Sequence, residues 1–170
     1  MALVVGTDTY ISQADASTYV TEHYATTEIK AVAWNALTSD NKDAYLRKAT
    51  QTIDRQPLVG IKALTTQTLE FPRAIYTTVS SYGVNTNALL YGDNWYVQSA
   101  VPSAVTSAQV EIALALAAGI SKRVDLQRQG VKSFSVGNLS ESYGGGKLNA
   151  LPYEAKELLQ PYIAGGVPIC

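Results

Sequence analysis

PSAVTSAQVEIALALAAGISKRVDLQR occupies positions 102–128, and its reading decides the fold. Pro102 suits a first helical turn, and Ser103 offers an oxygen to the orphan N–H groups found there. Val105, Ala108, Ile112 and Ala115 make one apolar stripe, and Val110, Leu114 and Ala117 make a second. Together they leave the middle of the segment apolar nearly all round, which places a helix inside a domain rather than on its surface. Between Ala104 and Ile120 the one formal charge is Glu111. Charge returns with Lys122, Arg123 and Arg128, where cations complement a helix C-terminus. Read as one helix, these 27 residues run about 40 Å. Other elements must then cover it.

Those elements are legible on both sides. Residues 2–5 read as a short strand or extended arm, and Gly6 and Asp8 turn the chain. Ser12 with Asp15 three residues on resembles a capping box, opening a helix from Gln13 to about Tyr24 with Ala16, Tyr19, Val20 and His23 on one side. A short piece, 28–37, carries Trp34 as its anchor. Thr38-Ser39-Asp40 starts the next helix, with Tyr45, Leu46, Ala49 and Ile53 as its apolar face, and Pro57 stops it. Leu69, Glu70 and Phe71 alternate, as in a short strand before Pro72. Residues 74–100 are nearly uncharged and rich in Tyr, Asn, Ser and Thr, consistent with a β-hairpin or an ordered surface loop. An unstructured loop of that length is uncommon in a compact domain unless it has a job.

Downstream, 131–136 follows a period of two, Gly137-Asn138 is a fair turn, and 139–143 returns, so a β-hairpin is expected over 131–143. Gly144–Gly146 is a flexible break. Pro152 opens a last helix to about Tyr162, with Ala155, Leu158, Leu159 and Ile163 apolar, followed by the tail 165–170. The fold class expected is mainly α: a small helical bundle around one long central helix, with a β-hairpin and an extended C-terminal segment. The expected division is 1–151 for the helical domain and 152–170 for the C-terminal helix and tail.

The totals bound the function. The chain has 170 residues, enough for one domain with a real core. Its net charge of −1 argues against a protein whose affinity comes mainly from neutralising phosphates. Eleven tyrosines stand against two phenylalanines and two tryptophans. Tyrosine is favoured at interfaces, though it also replaces phenylalanine in cores, and both readings stay open. The single cysteine, Cys170, excludes an internal disulfide. The first ten residues lack a signal-peptide pattern, and 112–120 is too short to span a bilayer, so a soluble intracellular protein without membrane contact is expected.

Catalytic chemistry finds no footing. His23 is the only histidine, and a histidine base needs a placed partner. One His and one Cys make no zinc site, and no metal or cofactor is expected. Gly144-Gly145-Gly146-Lys147 departs from the P-loop because Leu148 follows the lysine. Asp15, Glu22, Asp54 and Glu111 are not brought into a carboxylate pair by their spacing. Arg73, held after Phe71-Pro72, is expected to pair with Asp54 or Glu111, or to reach a partner subunit. Lys122, Arg123, Arg128 and Lys132 form a modest basic cluster near Phe134, candidates to face DNA but short of a single-strand platform.

The order of features resembles a known family. Tyr10-Ile11-Ser12 leads Ala14-Asp15 and Tyr19. Ala33-Trp34 and Leu37 follow, then Leu46, Ala49-Thr50 and Ile53-Asp54. Leu69-Glu70-Phe71-Pro72-Arg73 precedes Val101-Pro102 and its Ala/Leu-rich helix, and Leu159-Gln160-Pro161-Tyr162-Ile163 closes the series. This resembles the head-to-tail adaptor (connector, head-completion) proteins of tailed bacteriophages, some of which are described as DnaT-like single-stranded-DNA-binding proteins. Phe71 stands where that pattern has tryptophan, and the stretch between Arg73 and Pro102 is longer than in the pattern. The resemblance implies a non-enzymatic virion protein at the neck, made in the host cytoplasm. It implies a ring of this chain, with a dodecamer expected, between the portal protein and the tail or neck proteins, lining a channel for passing double-stranded DNA. The C-terminal segment would dock on the portal. The partner contacts expected are Tyr82, Tyr91, Trp95, Tyr96, Phe134, Leu158, Tyr162, Val167 and Ile169. The alternative is a single-stranded-DNA-binding replication accessory protein.

Overall fold

The computed structural model describes residues 3–76, 95–119, 133–136, 139–142 and 151–164. Among them are five α-helices: α1 (Gln13–His23), α2 (Ile29–Asn35), α3 (Ser39–Asp54), α4 (Ser103–Ala117) and α5 (Tyr153–Leu159), the last extended by a 3-10 turn, Gln160–Tyr162. A small antiparallel sheet holds β1 (Ile61–Lys62), β2 (Arg73–Tyr76) and β3 (Trp95–Val97) in that spatial order, and β4 (Ser133–Val136) pairs with β5 (Leu139–Ser142). The fold is mainly α, as the sequence implies.

The central helix is α4, and it is shorter than its sequence suggests. It ends at Ala117, giving about 22 Å rather than 40. Gly119 adopts φ +67 and its N–H bonds back to Leu116 O at 3.2 Å, while Ala118 N–H reaches Leu114 O at 2.9 Å. A glycine in the left-handed region just past the last helical turn is a common stop. The apolar pattern ran through that signal. The inside placement is right: Val105, Ala108, Val110, Ile112, Ala113, Leu114 and Ala115 are all buried. α1, α2, α3 and α5 all pack against α4. Alanines at the contacts, among them Ala16, Ala31, Ala49 and Ala155, let these helices come close.

Local chemistry sets the helix starts. Ser12 accepts from the N–H of Asp15, and Thr38 from that of Asn41, each satisfying an orphan donor. Trp34 is fully buried between helices. Its indole N–H donates to Ser17 Oγ at 3.3 Å, and Lys42 Nζ stands 5.3 Å from the ring centre. Of the expected strand or extended arm at 2–5, residues 3–5 are described and form no strand beyond an isolated bridge of Val5 with Thr9; a tight turn follows, closed by bonds from Asp8 N–H to Val4 O (2.8 Å) and Gly6 N–H to Thr9 O (2.8 Å). Leu69 and Phe71 are buried and Glu70 half-buried, as their alternation implies, yet no ladder forms there. The strand follows Pro72 instead, from Arg73 to Tyr76.

The two ends of 74–100 pair as strands, with Ala74 opposite Val97 and Tyr76 opposite Trp95. The hairpin of β4 and β5 sets Phe134 opposite Glu141 and Val136 opposite Leu139. After α5, the chain runs antiparallel beside 57–59, with Val59 N–H donating to Tyr162 O (2.8 Å) and Ala164 N–H to Pro57 O (2.6 Å). Residues 152–164 are thus built into the same core as the rest.

Two glycines separate strain from fit. Gly6 and Gly60 both have positive φ, +84 and +77. A methyl on Gly6 meets open space, whereas one on Gly60 overlaps the carbonyl of Ala74 across the β1–β2 pairing. Gly6→Ala is expected to cost about 1–2 kcal/mol, the penalty for a side chain in the left-handed region. Gly60→Ala is expected to cost clearly more and to unpair β1. Urea unfolding of both variants checks this; equal losses would show that the Gly60 packing does not matter.

Candidate functional site

Two polar side chains on α4 organise the buried chemistry. Gln109 is fully buried. Its Oε1 accepts from Tyr10 N–H at 3.0 Å, and its Nε2 donates to Thr9 Oγ1 (2.6 Å), Thr50 Oγ1 (2.9 Å) and Leu46 O (3.0 Å). It therefore ties the N-terminal segment to α3. Glu111, two residues further on, accepts from Tyr19 Oη (3.0 Å), Tyr24 Oη (2.6 Å) and Lys30 Nζ (2.9 Å). The Lys30 ammonium uses its three donors on Glu111, on Glu154 (2.8 Å) and on Tyr24 Oη (3.1 Å). Burial alone lowers the pKa of Lys30, but the bonds to Glu154 and Glu111 outweigh it and hold the ammonium above its ordinary range. Burial, with the bond to Glu111, pushes Tyr24 up to about 12. Every group here is answered by another, and no unpartnered buried side-chain atom occurs among the described residues. Such a network fixes geometry.

A second cluster surrounds Phe71. Tyr10 Oη donates to Asp54 and accepts from the N–H groups of Glu70 (3.2 Å) and Phe71 (3.4 Å). The rings of Tyr10 and Tyr162 meet Phe71 edge to face, at 5.9 and 5.4 Å between centroids. Burial first, and the charge of Glu70 among the lesser causes, holds Asp54 above the usual carboxylate range. Arg73 pairs with neither Asp54 nor Glu111. Its buried guanidinium bonds Glu70 Oε2 (2.5 Å), Val59 O (2.7 Å) and Gly60 O (2.6 Å). Glu70 lies three residues away, and the turn at Pro72 brings it round where a count along the chain does not. Arg73 is a structural peg between the sheet and 59–60.

The remaining sequence candidates fall in several places. His23 is exposed, stacked on Tyr19 at 4.0 Å, with Nδ1 at 2.9 Å from Tyr19 O. Asp15, in the first turn of α1, donates its N–H to the cap residue Ser12 and accepts from the Ser12 hydroxyl. No group of His, Cys, Asp and Glu among the described residues is arranged to hold a metal. Leu158 and Tyr162 are partly buried and pack on the core. Trp95 is half-buried and Tyr96 exposed, on β3. Trp95 meets Tyr76 edge to face at 5.5 Å. Phe134 lies on β4, at the register position of Glu141. Tyr82, Tyr91, Val167, Ile169, Lys122, Arg123, Arg128 and Lys132 lie outside the described residues.

Several described cations are engaged internally: Lys30 with Glu111 and Glu154, Arg73 and Lys62 with Glu70, and Arg47 with Asp8 at 3.8 Å. Among the described residues, the exposed large apolar side chains are Ile61, Leu64, Tyr76 and Tyr96 about the sheet, Ile29 and Val32 on α2, Tyr153 on α5, and Val4 and Val5. Sequence reasoning missed the two polar hubs, although Gln109 and Glu111 were visible as polar residues in an apolar helix. Among the described residues no helix is long and apolar enough to cross a membrane.

A family model described as "Putative DnaT-like ssDNA binding protein" matches residues 1–169. No curated protein and no solved structure matches the chain.

Removing one partner of the Glu111 network strands the other charge. Lys30→Met is expected to destabilise the domain by about 3 kcal/mol. Lys30→Met with Glu111→Gln should recover part of that loss, since a glutamine oxygen still accepts from the tyrosines. Thermal or urea unfolding of the pair checks it; a double variant less stable than the single one would overturn the account. Asp54 gives a pH test. Its folded pKa is raised, so the folded state holds the proton more tightly than the unfolded chain, whose value is about 3.9. That contribution is full below the unfolded pKa and is lost as pH rises through the folded one. Asp54→Asn keeps an acceptor for Tyr10 and removes the titration. Its stability relative to the parent should therefore increase between about pH 4 and neutrality. A flat difference across that window would contradict the assignment.

Proposed function

The chain belongs to the DnaT-like family, and we propose that it works by binding and assembly, as a head-to-tail adaptor subunit of a tailed bacteriophage. In this reading it joins other copies between the portal and the tail-side proteins and contacts double-stranded DNA in passing. The observation that carries the reading is where the charges are. Lys30, Lys62, Arg47 and Arg73 face carboxylates of their own chain. The apolar exposure, by contrast, is concentrated in aromatic and aliphatic side chains of the small sheet, α2 and α5. A net charge of −1 suits a surface that lets a polyanion slide rather than one that holds it. Exposed apolar residues suit contacts between proteins.

The family description favours a second reading more directly: binding of single-stranded DNA, as a replication accessory protein. The exposed Tyr76 and Tyr96, with Trp95 beside them, are of the residue type on which bases stack. What this surface lacks, among the described residues, is a lining of cations to track the phosphates.

Two measurements divide the readings. Light scattering on the protein mixed with the portal protein of the same genome is expected to show a ring-sized addition to the portal. Fluorescence anisotropy with a labelled single strand is expected to show weak retention. Tight strand binding that falls steeply between about 50 and 200 mM salt, with no effect of portal, would replace the adaptor by the accessory protein.

A further inference from the structure

The stretch 59–76, together with 95–98, is stitched to itself by side chains. Arg73 Nε and Nη2 bond the carbonyls of Val59 (2.7 Å) and Gly60 (2.6 Å). Gln98 Oε1 accepts from Arg73 N–H at 2.9 Å, and Gln98 N–H donates back to Arg73 O at 3.0 Å. Gln67 Nε2 donates to Leu69 O (2.8 Å) and Pro72 O (2.9 Å), while its Oε1 accepts from Leu64 N–H (3.0 Å). Ala63 and Ala74 are buried, yet neither belongs to the core cluster around α4. Leu69 and Phe71 anchor the unit in that cluster. Its pivot is 57–59, where Val59 N–H bonds Tyr162 O and Pro57 O accepts from Ala164 N–H.

One hydroxyl joins this unit to the helices. Tyr10 Oη accepts from the N–H groups of Glu70 (3.2 Å) and Phe71 (3.4 Å) and donates to Asp54, the last residue of α3. Three pieces of chain meet on that atom. The groups facing Asp54 come from both sides of the join: Glu70 and Lys62 from the unit, Tyr10 from the N-terminal segment. Arg55, next along the chain, is exposed. Lys62 lies 3.4 Å from Glu70 and Arg73 lies 2.5 Å from it, so Asp54 shares Lys62 with a second carboxylate. Asp54 also stands at the C-terminal end of α3, where the helix dipole disfavours negative charge. The Tyr10 bond and Lys62 favour the ionised carboxylate; burial and Glu70 oppose it and win. An ionised Asp54 is therefore poorly supported while the join is closed, and water supports it once the join opens. We propose that the Tyr10–Asp54 contact is a pH-sensitive latch: the unit opens from the bundle as one piece about 57–59, and opens more readily when Asp54 is ionised. Tyr76 and Tyr96 are exposed on this unit, so the latch governs how they are presented. The device stands whether the chain acts as an adaptor or as a strand-binding protein.

Native-state hydrogen exchange on the full chain, followed by NMR, tests this. Each amide's exchange rate, divided by its intrinsic rate at that pH, gives an opening constant. Ala63 N–H, bonded to Pro72 O, and Gln98 N–H, bonded to Arg73 O, report on the unit. Ala113 and Leu114, buried in α4, report on the bundle. Ala63 and Gln98 should share one opening constant, larger than that of the α4 amides. The closed unit holds the Asp54 proton more tightly than the open one, so opening is least below about pH 4. It should rise with pH by at most about tenfold per unit, as one proton is lost, and level off near neutrality. In Asp54→Asn the rise should vanish. Tyr10→Phe keeps the ring against Phe71 and removes the hydroxyl, and should raise the unit's opening constant about tenfold at pH 4. Helical circular dichroism checks that both variants fold. Exchange of Ala63 and Gln98 at the α4 constant, or at two different constants, would show that the unit does not open as one piece. A pH rise that persists in Asp54→Asn, or an unchanged constant in Tyr10→Phe, would overturn the latch.

Discussion

A carboxylate taken out of water must be answered on the spot, and Glu111 is answered from three directions. Tyr19 and Tyr24 come from α1 and its end, Lys30 from α2, and Lys30 in turn reaches Glu154 on α5. A few residues back on the same helix, Gln109 does the same for the N-terminal segment and α3. An apolar helix packed on all sides has no preferred rotation of its own, because one oily face resembles another. Two polar side chains remove that freedom. Turning α4 even partly about its axis would leave a buried charge and a buried amide without partners, at a cost of several kcal/mol. The hydrophobic residues make the bundle compact, and the two polar ones decide how it is assembled.

Much of this was legible before any coordinates. Helix starts at Ser12 and Thr38 have short-range causes, and so do the stops, which is why α1 and α3 fall where their sequence places them. The β4–β5 hairpin follows from its alternation and turn. The overrun of α4 has a definite reason. Helical periodicity is a statement about side chains, and it continues past Gly119, whereas the stop is a backbone event at that glycine. The Phe71–Pro72 region was misread for a related reason: alternation reports which side chains are buried, not whether a partner strand is present. Arg73 and Asp54 could not be matched to Glu70 and Tyr10 by spacing, because those pairings depend on a turn and on contacts across the chain. The surfaces were the least legible. Whether a tyrosine is buried or exposed is decided by what packs over it, and Tyr10 and Tyr76 show both outcomes in one chain.

The same placement of charge shapes how the molecule can meet DNA. A lysine engaged with its own carboxylates contributes little to a passing phosphate backbone, because moving it outward would strand Glu111. Lys62, Arg47 and Arg73 are engaged with carboxylates of their own chain in the same way.

The bonds that seal this fold join residues far apart in the chain. Tyr10 and Gln109 are 99 positions apart, and the pairing of Leu58 with Ile163 spans still more. Closing loops of that size costs chain entropy before any contact rewards it. α4 also keeps one side bare until Ala155 and Leu159 have been made. During synthesis the earlier helices can gather, but the polar hub through Lys30 and Glu154 stays open and the central helix stays sticky. The architecture therefore imposes an order of events: translation through Ile163, then closure of the core, and only after that a molecule with finished surfaces.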